Sequence, residues 1–150
     1  MEKTTKKSLL FLAAAAVTVL NFQSCGKYED GPGFSLRSKK ARITGEWELV
    51  KINGQSPTQY SGFDTYEEKW ELESDGDLSV TTNYSFSTYY GYSYSGSYTQ
   101  TGEWEFSSDK EDLEITIDGS KTELEILQLK NNESKFKTKS SPMIEYEFEK

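Results

Sequence analysis

Paired carboxylates are the first candidates for chemistry, and they recur as Glu67 with Glu68, Asp75 with Asp77, and Glu103 with Glu105. Two carboxyls facing each other across a cleft, one of them with a raised pKa, are what glycoside hydrolysis requires. Glu103 and Glu105 flank Trp104, so on a strand they leave the tryptophan's side and point into water. Asp75, Gly76 and Asp77 offer oxygen ligands but lack the spaced run of a calcium loop, and they read as a tight turn. The chain contains no histidine. That removes the commonest general base and metal ligand, and with it any serine, histidine and acid set. The sole cysteine, Cys25, cannot close an internal disulfide. The residues argue against an enzyme, and no metal or cofactor is expected.

Aromatic residues are the second group. Six of the ten tyrosines lie between Tyr84 and Tyr98, at 84, 89, 90, 92, 94 and 98, interspersed with Ser, Thr and Gly. Tyrosine combines a broad apolar face with a polar tip at low conformational cost, which suits sugar stacking and protein contacts. Two readings stand: an adhesive tip or cavity rim, or a long twisted hairpin whose tyrosines pack across strands. Trp47, Trp70 and Trp104 sit at inward parity among aliphatic neighbours, which makes them core filling or the wall of a cavity.

Cys25 closes a different pattern. Lys3, Lys6 and Lys7 precede Leu9 to Leu20, apolar except for Thr18, and a polar step through Asn21, Gln23 and Ser24 leads to the cysteine. Charged, then apolar, then small is the order of a secretory signal. As a helix the apolar run spans ~18 Å, short of the ~30 Å hydrocarbon layer, so residues 1–24 are expected to be a cleaved signal peptide. The segment from Leu20 to Cys25 resembles the lipobox of bacterial lipoproteins, with Ser24 just before the cysteine and Phe22 three before it. The resemblance implies lipidation of Cys25 by diacylglycerol and acyl chains such as palmitate, hence a membrane partner through an N-terminal lipid anchor. The alternative is a cysteine that happens to follow an ordinary signal peptide.

Beyond it, Lys27, Tyr28, Glu29 and Asp30 are similar to the export signal that carries Bacteroidetes-type lipoproteins to the outer face of the outer membrane. A solvated tether would read the same way, and would leave the protein on the periplasmic face. Residues 25–43 are thus a tether and a short helix. In it Ser35 is the candidate cap, and Arg37, Lys39, Lys40 and Arg42 form a basic collar.

Charge narrows the partners. The whole chain is at −8, and losing three lysines and one glutamate with the signal makes it more acidic still. Such a surface repels phosphate backbones, so nucleic acid is not a partner. What remains is one domain, 44–150.

From Gly45 onward the apolar period is two. Trp47, Leu49 and Lys51 share one side of a first strand. Trp70 and Leu72 point inward from a second, and Leu78, Val80, Thr82, Tyr84 and Phe86 line a third. Gly102, Trp104 and Phe106 mark a fourth, and Leu113, Ile115 and Ile117 a fifth. A sixth runs through Leu124 to Leu129 with a parity shift near Ile126 and Leu127, as at a bulge. A weak seventh surrounds Phe136, and Ile144, Tyr146 and Phe148 make the last. About eight strands joined by short turns leave two open edges unless the sheet closes. The expected fold is all-β, a small antiparallel up-and-down barrel behind a short helix, with an immunoglobulin-like sandwich as the alternative.

Gly45, Glu46 and Trp47 behind a short helix are similar to the Gly-x-Trp signature of lipocalins. There the tryptophan plugs the closed end of an eight-stranded barrel. The segment from Cys25 to Trp47, the Gly102 to Phe106 strand and the Ile144 to Phe148 strand together look like the lipocalin-like domain of Bacteroidetes lipoproteins. The resemblance implies a non-enzymatic binding module. One expectation is a small apolar or glycan ligand in a cavity lined by Trp70, Trp104, Tyr84 and Phe86. The other is a filled barrel presenting the Tyr89, Tyr90, Tyr92 and Tyr94 tip to a surface protein. The chain departs from the family in having no arginine after Arg42 to pack on the tryptophan.

Overall fold

The structure, a computed structural model, describes residues 37–150. Cys25, the expected signal segment and most of the expected tether lie outside the described residues. A short helix, α1 (Lys39–Ile43), leads into β1 (Gly45–Ile52). A second, α2 (Pro57–Ser61), precedes β2 (Thr65–Leu72), β3 (Asp77–Ser87), β4 (Ser93–Phe106), β5 (Asp112–Ile117), β6 (Ser120–Leu129), β7 (Glu133–Thr138) and β8 (Glu145–Glu149).

Each strand pairs antiparallel with the next, and β8 returns to β1 with Phe148 opposite Leu49, so the eight strands close into a barrel. Closure rules out the sandwich and removes the edge problem around most of the sheet. The Asn53-Gly54 and Asp118-Gly119 turns place both residues at positive φ, the geometry that matches strand twist in a two-residue hairpin.

Strand parity follows the apolar pattern with two local slips. The register shifts between Ile126 and Gln128, where the sequence itself changes parity. A second shift, between Leu49 and Lys51, turns Lys51 outward to pair with Glu147 at 3.2 Å and buries Ile52 in its place. The inward placement of Lys51 is thereby corrected.

The helices also differ from expectation. Ser38, not Ser35, caps α1, its hydroxyl accepting from the Ala41 amide at 3.1 Å. The loop after Asn53 contains a helix that periodicity does not reveal, because five residues complete little more than one turn. Its signals are terminal: Ser56 caps it, Pro57 opens it, and Gly62 at φ 74° ends it.

One end of the barrel is solid. Ile43, Trp47, Leu49, Leu72, Leu78, Leu113, Leu129 and Phe148 are almost fully buried there. Arg42 pins α1 across that end, its Nη1 donating to the Leu129 carbonyl at 2.9 Å.

Candidate functional site

At the plugged end Trp47 is buried, and its Nε1 donates to the Ile43 carbonyl at 2.6 Å. Gly45 begins the strand at φ 117°, a conformation L side chains rarely adopt. The place of an arginine is taken by Lys150. Its ammonium lies 4.5 Å from the Trp47 ring centre and donates to the Arg42 and Thr44 carbonyls at 2.9 and 2.5 Å. Burial, with Arg37 nearby, pushes the Lys150 pKa below the usual lysine value. This end is structural.

The opposite end opens into a cavity of about 370 Å³ between Ile52, Trp70, Ile115 and Leu124, with Tyr60 and Ser61 of α2 at its rim. Tyr66, Glu68, Thr122, Thr138 and Tyr146 complete the wall. Its size falls at the low end of small-ligand sites, and its surface is mostly apolar, with the hydroxyls of Ser61, Thr122, Thr138 and the three tyrosines and the Glu68 carboxylate as its polar points.

Glu68 is the one carboxylate in that wall. Glu67 and Glu68 stand on opposite faces of β2, so they cannot act as a pair. The Tyr66 hydroxyl donates to Glu68 Oε2 at 2.6 Å and the Trp70 indole to Oε1 at 2.7 Å. A carboxylate has about four lone-pair positions, so two donors leave acceptor capacity facing the cavity. Burial first, then the Glu68 carboxylate, hold the Tyr66 hydroxyl far above the ordinary phenol range. Tyr146 is raised chiefly by burial, then by the charge of Glu68 and by Tyr60. The site is a mostly apolar bowl with a carboxylate held at one point, suited to accepting a hydrogen bond.

Of the expected cavity residues, only Trp70 lines it. Trp104 is core, donating to the Glu73 carbonyl at 2.9 Å and stacked edge-on against Phe106. Tyr84 and Phe86 face inward but lie beyond the bowl, in an aromatic run with Phe63, Tyr94 and Tyr98 whose neighbouring ring centres are 5.3 to 6.4 Å apart. The tyrosines divide by position. Tyr84, Tyr94 and Tyr98 pack across strands, whereas Tyr89 and Tyr90 at the tip are 99% and 85% exposed, and Tyr92 is exposed beside them. Glu103 and Glu105 do point outward, and Asp75 accepts from the Asp77 amide in a turn.

A closed up-and-down barrel of eight strands, plugged by a tryptophan at one end and hollow at the other, defines the class. A family model for the lipocalin-like domain matches residues 43–136, and the chain belongs to that family. No curated protein sequence matches it. Among solved structures it is similar to japanin from Rhipicephalus appendiculatus bound to cholesterol, at 10% identity and a TM-score of 0.49, over 75% of this chain and 78% of that one. It is also similar to lobster apocrustacyanin A1, at 14% identity and a TM-score of 0.44, over 77% of this chain and 62% of that one. The fluorescent protein UnaG is similar at 9% identity and a TM-score of 0.37, over 72% of this chain and 96% of that one.

Proposed function

We propose that this protein is a lipid-anchored lipoprotein of the bacterial outer membrane whose barrel binds a small amphiphile without transforming it. The apolar body of the ligand occupies the bowl between Ile52, Trp70, Ile115 and Leu124, and its polar end donates to Glu68. The single observation that carries this reading is a half-buried carboxylate, held by Tyr66 and Trp70, in a cavity whose surface is mostly apolar. A carboxylate left there without a ligand or water partner would lose hydrogen bonds worth ~1.5–3 kcal/mol each, which favours ligands that bring a donor.

Calorimetry with octylamine, octanol and octanoate as probes tests it. The expected order is amine, then alcohol, then carboxylate, and Glu68→Gln should erase the preference for the amine. Equal binding of all three probes, or none, would refute the reading.

The anchor rests on the order of residues from Lys3 to Cys25 and on the lipobox resemblance, and Lys27 to Asp30 support display on the outer face. Mass spectrometry of the mature N-terminus should find diacylglyceryl and acyl chains on Cys25. A free thiol there would end the anchoring proposal while leaving the binding one intact. A second reading, a surface-protein contact through the hairpin tip, is favoured by the exposure of Tyr89 and Tyr90.

A further inference from the structure

The β3–β4 hairpin outgrows its neighbour. β4 pairs with β3 from Glu103 back to Ser93, but with β5 only from Gly102 to Phe106. Among the described residues no strand lies against the outer side of residues 93–101. At ~3.4 Å per residue this leaves an open edge ~30 Å long.

Two hydrogen bonds fix which groups point outward. The Trp104 amide donates to the Gly76 carbonyl and the Thr88 amide to the Tyr92 carbonyl, each at 2.7 Å. Even-numbered residues of β4 therefore bond toward β3, and the register between these ends is unbroken. By antiparallel alternation, the amides and carbonyls of Ser93, Ser95, Ser97, Thr99 and Thr101 face away from the barrel.

Nothing blunts this edge. Exposed strands are ordinarily protected by lysine, proline or a bulge. From Leu78 to Gly102 the sequence has no charged residue and no proline, in a chain that is 28% charged. The edge is also nearly palindromic: Ser93-Tyr94-Ser95-Gly96-Ser97-Tyr98-Thr99 reads almost the same in either direction about Gly96.

We propose that β4 pairs antiparallel with β4 of a second copy of this chain, about a two-fold axis at Gly96. In that register Ser95 meets the partner's Ser97 and Ser93 the partner's Thr99, all residues whose backbone groups point outward, giving about eight hydrogen bonds across the seam. Tyr94 meets the partner's Tyr98, rings that are now 52% and 48% exposed. Gly96 meets itself at the narrow, non-hydrogen-bonded position, beneath the Tyr84 hydroxyl that lies 2.6 Å from where a Cβ would be. Two copies at −8 repel each other, and the uncharged hairpin is where they meet with least opposition.

Sedimentation velocity of the full-length chain, in density-matched detergent with reductant, should show a concentration-dependent dimer. Ser97→Pro removes one outward amide and leaves the β3 bonds intact; Ser95→Lys adds like charges near the axis. Each should raise the dissociation constant at least about tenfold with an unchanged melting temperature. In the dimer, hydrogen exchange at Ser93, Ser95, Ser97 and Thr99 should slow with concentration, while the even-numbered amides of the strand stay slow throughout. If Ser97→Pro fails to fold, Ser95→Lys decides alone. A monomer at every concentration, a dimer that ignores the variants, or a dimer whose odd-numbered amides still exchange freely would overturn the proposal.

Discussion

Replacing Gly102 with alanine puts a Cβ 2.1 Å from the Thr116 carbonyl oxygen and 3.0 Å from Ile117 Cγ1. Carbon and carbonyl oxygen come no closer than ~3.3 Å, so β4 and β5 must separate by about 1 Å at the last pair of their seam. Overpacking of this kind costs ~1–3 kcal/mol, and stretched ladder bonds add ~1 kcal/mol each. Removing a glycine from a strand returns ~0.5–1 kcal/mol. The net expectation is a loss of ~2–4 kcal/mol, or a melting temperature lower by about 8–16 °C at ~4 °C per kcal/mol. Gly96→Ala is the control. Its Cβ would meet only the Tyr84 side chain, 2.6 Å from the hydroxyl and 2.7 and 3.0 Å from ring atoms Cζ and Cε1, so a half-buried ring and not backbone must shift, and the loss should be smaller, ~1–2 kcal/mol. Thermal and guanidinium unfolding of both variants, followed by circular dichroism in dilute solution, measures the difference. Equal effects, or a Gly102→Ala protein as stable as the parent, would refute the steric reasoning.

Lys150→Met removes the cation over Trp47 and two donors to backbone carbonyls. Because the ammonium is partly solvated, the expected loss is only ~1–2 kcal/mol in guanidinium unfolding, with ligand binding unchanged. Raised pKa values at Tyr66 and Tyr146 mean that the folded state keeps protons there that the unfolded chain releases near 10.0. Their contribution to stability is complete below that pH and is lost as pH climbs through the raised values, so alkaline titration followed by phenolate absorbance should show these two ionising late or together with unfolding. Thr122→Leu places an apolar side chain in the cavity wall and should weaken octylamine binding without lowering the melting temperature, as calorimetry paired with a thermal scan will show.

The barrel could be read because its two-residue period runs unbroken through most strands, and because Gly45 and Trp47 mark the plugged end. Lys51 misleads for a physical reason: a bulge changes parity without altering composition. The extension of β4 back to Ser93 is hidden because serine, threonine and glycine suit a loop as well as an edge strand. Glu68 was within reach, since it stands two residues before Trp70 and must share its face. It is obscured by Glu67, whose adjacency invites a pairing that the strand forbids. Lys150 and α2 carry no such signal, one acting through a contact more than a hundred residues distant in sequence and the other through caps alone.

The three tryptophan indoles report the site directly, because each N–H has its own acceptor: Ile43 carbonyl for Trp47, Glu68 for Trp70 and Glu73 carbonyl for Trp104. In a nitrogen–proton correlation spectrum titrated with octylamine, the Trp70 indole signal should move while those of Trp47 and Trp104 stay in place. A Trp70 signal that stays still at saturation, or shifts confined to the tyrosine hairpin, would contradict a ligand held at Glu68 inside the barrel.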